Sequence, residues 1–234
     1  MATPHDILNG QTAIVTGASS GIGFAITRLL FDAGCSVAVV GRDAARLRAA
    51  IDGIANDRRL AIACDVRDDA AVGAMVNQVT AAWGRVDMLV NSAGLFQTAP
   101  LSETTNELWD DMWQTNVNGT FYPTRAVVPG MIERGSGTIV VMSSVAAHRG
   151  YSGNTAYSAS KYAVTGFARA LSTEVRRKGV RVINVMPGPV ATPIWDGKDL
   201  PLERAQMLTP DEVAQATNNA MTVSPTQVIE DVLL

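Results

Sequence analysis

The sequence lacks the features that mark several large protein classes. It has no basic surplus: 19 Lys and Arg stand against 22 Asp and Glu, a formal charge of −3, so the electrostatic footprint of a nucleic-acid binder is missing. Its two cysteines, Cys35 and Cys64, are too few for a disulfide framework or a zinc ribbon, and both read as small buried hydrophobes in a reducing cytosol. The two histidines, His5 and His148, are too few and too scattered for a metal centre. No uninterrupted apolar run approaches the ~18 residues of a membrane span. The first basic residue is Arg28, so the positive start of a secretory signal is also missing. The expectation is a cytoplasmic protein with no nucleic-acid, membrane or metal partner.

The chain has 234 residues, 47% hydrophobic and 18% charged, a composition that supports one well-buried domain over residues 1–234. Short β-branched runs alternate with helical patterns from end to end. Strands are expected at Thr12–Thr16, Ser36–Val40, Leu60–Ala63, Met88–Val90, Thr138–Met142 and Arg181–Met186, with a short seventh at Val228–Leu233. Helices are expected at Gly21–Ala33, Ala44–Ile54, Asp68–Trp83, Glu107–Ile132, Ala156–Arg177 and Pro210–Thr222, Pro123 and Pro129 leaving the end of the fourth open. The strands are continuously apolar rather than alternating, as in a parallel sheet covered on both faces. The pattern therefore predicts an α/β, doubly wound sheet of about seven strands with helices on both faces. Pro187–Thr209 lacks periodicity, and a loop of that length in a compact domain reads as a functional lid.

The first strand runs into Thr16-Gly17-Ala18-Ser19-Ser20-Gly21-Ile22-Gly23. Glycines between a strand and a helix let backbone N–H groups and a helix N-terminus approach a pyrophosphate. The spacing G-x-x-x-G-x-G differs from G-x-G-x-x-G and from the lysine-containing loop of nucleotide hydrolases. Further along, Tyr157 and Lys161 are four apart in a helical pattern, so their side chains share a face. Tyrosine is a poor base at its ordinary pKa of about 10; a nearby ammonium and a cationic ring would favour the phenolate, and a shift of about three units corresponds to roughly 4 kcal/mol.

The run TGASSGIG resembles the cofactor signature of the short-chain dehydrogenase/reductases, in their shorter single-domain subtype. The resemblance continues in order through Asp65, Asn91-Ser92-Ala93-Gly94, Asn116, Ser144, Tyr157, Lys161 and Pro187-Gly188, nearly the whole chain. Two features depart from the family pattern: Ser92 stands where a second Asn is usual, and the Asp-Gly-Gly ending of many acyl-carrier-protein reductases is missing. The resemblance implies an enzyme that moves a hydride between nicotinamide C4 and a carbonyl or carbinol carbon, with no metal. It implies Tyr157 as proton donor or acceptor, Ser144 as partner of the substrate oxygen (Ser143 is the rival, and family spacing selects Ser144), and Asn116 as holder of a water linking Lys161 to solvent. It further implies cofactor contacts from Gly17, Ser19, Ser20, Gly21, Ile22, Gly23, Asp65, Val66, Asn91, Ala93, Gly94, Tyr157, Lys161, Pro187, Gly188, Val190 and Thr192, with Asp65 on the adenine amino group; its alternative is a helix-capping Asp.

NAD-preferring relatives end the second strand on an acid that binds the ribose hydroxyls. Here Arg42 holds that place, and a guanidinium suits a 2′-phosphate, so the expected cofactor is NADP. NAD stays open, because Asp43 becomes the ribose ligand if the register slips by one and Ser20 stands where many NADP-preferring relatives carry a second basic residue. The expected substrate wall is Leu95, Phe96, Ala146, His148, Tyr151, Ile194 and Trp195, apolar with an aromatic edge, suiting a small-to-medium carbonyl or alcohol. No clustered Arg or Lys marks a carboxylate or phosphate handle; Arg149 is the one nearby candidate. Trp109, Trp113, Phe121, Phe167 and Leu171 suit packing between subunits, and relatives form homodimers or homotetramers through these helices. A non-catalytic cofactor-binding regulator is the rival of a different class, and the intact set Asn116, Ser144, Tyr157 and Lys161 argues against it.

Overall fold

The computed structural model describes residues 7–198, 202–224 and 227–234. Seven parallel strands form one sheet: β1 (Thr12–Thr16), β2 (Ser36–Gly41), β3 (Arg59–Ala63), β4 (Met88–Asn91), β5 (Gly137–Met142), β6 (Val180–Met186) and β7 (Asp231–Leu233), in the order β3-β2-β1-β4-β5-β6-β7. The continuous apolar runs have a simple cause. Successive strand residues point to opposite faces, and both faces are covered: Ala13, Val15, Val37 and Val39 enter one core, while Ile14, Ala38 and Val40 enter the other.

The first core is closed by α1 (Gly21–Asp32), through Ile26, Leu30 and Phe31. The second takes α3 (Asp69–Trp83), through Val72, Met75 and Val79. Between them in sequence lies α2 (Ala44–Ala50), shorter than the apolar pattern suggested. Asp68 precedes α3 as its cap, accepting from Ala70 N at 2.9 Å and Ala71 N at 3.1 Å.

The long helix expected at Glu107–Ile132 is three pieces. Thr105 caps α4 (Asn106–Met112), a π-helical turn covers Trp113–Asn118, and α5 (Gly119–Arg134) continues with Pro123 and Pro129 inside it. A π turn closes i→i+5 bonds and is frequent at functional positions; its buried residue here is Asn116. Next, α6 (Thr155–Val175) carries Tyr157 and Lys161, and α7 (Pro210–Met221) packs Val213, Ala214 and Met221 into the first core. Pro193–Trp195 and Arg204–Gln206 form 3-10 turns in the segment without periodicity, where Val190 bridges Leu208; residues 199–201 lie outside the described residues.

Strand order reverses between β1 and β4, and in such sheets the crevice opens beyond the carboxyl ends of the strands at that reversal. Gly17, Arg42, Asp65, Ser92-Ala93-Gly94, Ser144 and Pro187-Gly188 all follow strand ends on this edge. Residues scattered over the sequence thus meet along one cleft.

Candidate active site

The cleft has two halves that share Ile22, Ser92, Gly94, Thr192 and Ile194. The smaller half, about 360 Å³, is lined by Gly17, Ser19, Ser20, Gly21, Ile22, Gly23, Arg42, Asp65, Val66, Ala93 and Gly94. The larger, about 610 Å³, contains Ser144, Tyr157 and Lys161, and is also lined by Pro187, Gly188, Val190 and Thr192.

Two glycines shape the smaller half by close approach. A Cβ on Gly17, which has φ +65°, would lie 2.7 Å from the Ala93 backbone, and one on Gly23 would lie 2.5 Å from the Gly17 carbonyl oxygen. Thr16 locks the same corner: its Oγ1 accepts from Ser92 N at 3.1 Å and Ala93 N at 3.2 Å. The N-terminus of α1 has no side-chain cap and no acidic residue in its first turn. Its free N–H groups and partial positive charge suit a pyrophosphate. The residues present therefore fit a dinucleotide.

At the far end of this half, Arg42 and Arg46 line the wall. Asp43 does not. Its Oδ1 accepts from Ala45 N at 2.9 Å and Arg46 N at 3.1 Å, capping α2. Asp65 lies close by, chelated by Arg67 through Nη2 at 2.8 Å and Nε at 3.0 Å. Hydrogen bonding from Arg67 holds the Asp65 carboxyl below the usual range, with the Arg42 charge contributing further. Asp65 is therefore not a helix cap; Asp68 has that role. Asn91 does not line the cleft: it is buried, with Nδ2 on Thr124 Oγ1 at 3.0 Å and Oδ1 without a partner among the described residues.

In the larger half, the Ser144 oxygen accepts from Ala146 N at 3.1 Å, opening a 3-10 turn, and Ser144 also hydrogen-bonds Tyr157. Ser143 is engaged elsewhere, with Thr165 Oγ1 at 2.7 Å and the Lys161 carbonyl at 3.3 Å. Lys161 Nζ donates to the Met142 carbonyl at 2.8 Å and lies 5.8 Å from the Tyr157 ring centroid. Burial pulls the Lys161 ammonium down to about 8.

The lowering expected for Tyr157 depends on a cationic nicotinamide; the net effect of the protein's own groups is upward. Burial pushes its hydroxyl up to about 12, and the Ser144 hydrogen bond offsets only part of this. The physical reason is the apolar surround: Phe96 meets the Tyr157 ring edge-on at 4.7 Å and Trp195 at the same distance on its other contact.

Asn116 is held by the backbone of the loop after β4 and by the start of α6. Its side chain faces the Leu95 backbone and Ser160, not the cavity, with Nδ2 to Ser160 Oγ at 2.9 Å. Ser160 in turn donates to the Tyr157 carbonyl at 2.7 Å. Of the expected substrate wall, Phe96, Ala146, Tyr151, Ile194 and Trp195 line the cavity, whereas Leu95 and His148 do not. His148 is exposed beyond the 3-10 turn, and the next residue, Arg149, lines the cavity instead. Sequence reasoning passed over Thr16, Arg46, Ser160 and Lys198. Arg46 had a visible signal, lying in the first turn after a capping Asp beside Arg42.

The family model for short chain dehydrogenases matches residues 11–201. The chain belongs to the short-chain dehydrogenase/reductase family. It is an NAD(P)-dependent oxidoreductase with the seven-stranded Rossmann-type sheet of that family. It is 39% identical over 222 residues to a D-threitol dehydrogenase of Mycolicibacterium smegmatis, a match covering 89% of this chain and 85% of the relative. A metagenomic short-chain oxidoreductase in complex with NADP is 33% identical with a TM-score of 0.85, covering 97% of each chain. An alcohol dehydrogenase from Thermococcus sibiricus complexed with 5-hydroxy-NADP is 26% identical with a TM-score of 0.88, covering 97% of this chain and 96% of the other. Among the described residues, no helix is long and apolar enough to cross a membrane.

Proposed function

We propose that this enzyme is an NADP(H)-dependent carbonyl reductase or secondary-alcohol dehydrogenase acting on a small-to-medium substrate with a largely apolar body. The observation that carries the reading is that Ser144, Tyr157 and Lys161 line a largely apolar cavity which, through Ile22, Ser92, Gly94, Thr192 and Ile194, adjoins a glycine-walled half also lined by Arg42 and Arg46. The bound nicotinamide supplies or takes the hydride.

In the reductive direction, Tyr157 gives its hydroxyl proton to the carbonyl oxygen while carbon receives the hydride. A Tyr157 hydroxyl held high by burial keeps its proton at neutral pH, the form a donor needs. Ser144 donates to the same oxygen and stabilises charge building there. Lys161 holds positive charge beneath the ring and favours the phenolate left behind. Arg42 and Arg46 bind a 2′-phosphate, and the D-threitol, NADP and alcohol dehydrogenase names of the relatives agree with alcohol–carbonyl chemistry. The exposed Trp109, Trp113 and Phe121, with Phe167 edge-on to Phe121 at 6.2 Å, support a homodimer or homotetramer.

The test is a panel of ketones and aldehydes with NADPH, following the loss of its absorbance, on the parent enzyme and on Tyr157→Phe. Turnover by the parent alone supports the reading. Equal turnover by both contradicts it.

A further inference from the structure

The larger cavity is charged in one sense. Arg149, Lys161 and Lys198 line it, and no Asp or Glu does among the described residues. Lys161 belongs to the reacting end. Arg149 and Lys198 do not, and the arrangement around Arg149 is built rather than incidental. Its Nε donates to the Tyr151 hydroxyl at 2.8 Å, and the guanidinium lies over the Tyr151 ring, 5.0 Å from the centroid. Six other arginines have an acidic partner, whereas Arg149 has none among the described residues. Lys198 Nζ donates to the Ile194 carbonyl at 2.8 Å and lies 5.9 Å from the Phe96 ring centroid, with no acidic partner among the described residues.

The segment carrying Arg149 is tied to the reacting end. Ser144 opens the 3-10 turn, and Arg149 N donates to the Val145 carbonyl at 3.1 Å, so one short turn presents both the Ser144 hydroxyl and the guanidinium. Beyond it, Asn154 N bonds the Tyr151 carbonyl at 3.2 Å and Ala99 N bonds Gly153 at 2.9 Å, which pins the loop. Asn154 also lines the cavity, with a buried Oδ1 that has no partner among the described residues. Such an acceptor favours a ligand that brings a donor to it.

We propose that the substrate carries an anionic group, a carboxylate or phosphoryl, at the end remote from its carbonyl, held by Arg149 with Lys198 adding to the field. A guanidinium matches either anion through paired N–H groups, and a cleft lined by one sign of charge concentrates ligands of the other. The Asn154 oxygen accepts a hydrogen bond from a hydroxyl or ammonium group of the same molecule. This inference rests on the carbonyl-reductase reading and narrows its substrate class to an apolar body with a charged end.

The experiment compares matched pairs with NADPH: 2-, 3- and 4-oxo acids against their methyl esters, and dihydroxyacetone phosphate against dihydroxyacetone. The expected result is a kcat/KM at least tenfold higher for the anionic member of one series, about 1.4 kcal/mol; the series that shows it tells carboxylate from phosphoryl. Arg149→Gln should collapse that ratio toward one, with Lys198→Gln giving a smaller fall. Esters and neutral ketones turned over as well as their anionic partners, or a ratio unchanged in both variants, would overturn the anion site and leave the reductase reading standing. Turnover of no member of any pair would overturn both.

Discussion

Asn116 holds Leu95 by both of its backbone groups: Oδ1 accepts from the N–H at 2.8 Å, and Nδ2 donates to the carbonyl at 3.0 Å. The next residue, Phe96, is the one packed edge-on against Tyr157. Since Asn116 also reaches Ser160, which bonds the Tyr157 carbonyl, the π turn, the loop after β4 and the start of α6 form a closed ring of contacts. Asn116→Ala leaves the part-buried Leu95 N–H and carbonyl without their side-chain partner and removes the donor to buried Ser160 Oγ, losses of about 1–3 kcal/mol each at most. The expected outcome is a stability loss of about 3 kcal/mol by denaturant unfolding and a fall in kcat larger than any change in NADPH affinity. An unchanged unfolding midpoint would show that the ring bears no strain.

Gly17→Ala tests the corner beneath the glycine turn. A Cβ there meets the Ala93 backbone at 2.7 Å at a positive φ, and backbone cannot swing aside as a flexible side chain does. The variant should lose about 2 kcal/mol or more of stability and bind NADPH at least tenfold more weakly in a fluorescence titration. Parent-like binding would mean that the turn relaxes freely.

Lys161 gives a pH signature. Its pKa falls from the ordinary lysine value of 10.5 to about 8 on burial. Between those values the unfolded chain holds the proton and the native one does not, so this group makes stability rise with pH. Below pH 8 the full cost is present, on the order of 3 kcal/mol. Tyr157 acts in the opposite sense and higher up. Native Tyr157 keeps its proton from 10 to about 12 while the unfolded chain loses it, so its contribution falls as pH rises through that window. Lys161→Met should therefore be inactive yet melt higher than the parent at pH 7, by about 2 kcal/mol after loss of the Met142 hydrogen bond. The advantage should shrink toward pH 10. A constant difference across pH would contradict the charge-burial account.

Tyr157→Phe removes the proposed proton donor and its hydrogen bond with Ser144, while the ring contact with Phe96 persists. Turnover should fall by roughly 10²–10⁴-fold, the range of general acid catalysis, with NADPH binding nearly unchanged. Most activity retained would mean that another group delivers the proton.

Much of this was legible in the residues. Strands buried on both faces must be apolar throughout, and glycine turns punctuate them, so Thr12–Thr16 and Thr138–Met142 could be read directly. The π turn at Trp113–Asn118 could not, because apolar periodicity does not encode one extra residue in a turn. Its consequence, the inward Asn116 amide, was hidden for the same reason. The choice between His148 and Arg149 was equally closed to sequence, since it depends on how a 3-10 turn of three residues ends. The residues proposed to hold a 2′-phosphate sat between these cases. Arg42 was visible at the end of β2, while the capping role of Asp43 and the inward place of Arg46 needed the first turn of α2 in three dimensions.

The most direct test of the account is a fluorescence titration of the purified protein with NADPH and with NADH, repeated on Arg42→Asp. The account predicts NADPH preferred at least tenfold, about 1.4 kcal/mol, and the preference inverted in the variant. Equal affinities, a preference for NADH, or binding of neither would contradict it, and equal loss of both cofactors in Arg42→Asp would make Arg42 a structural residue.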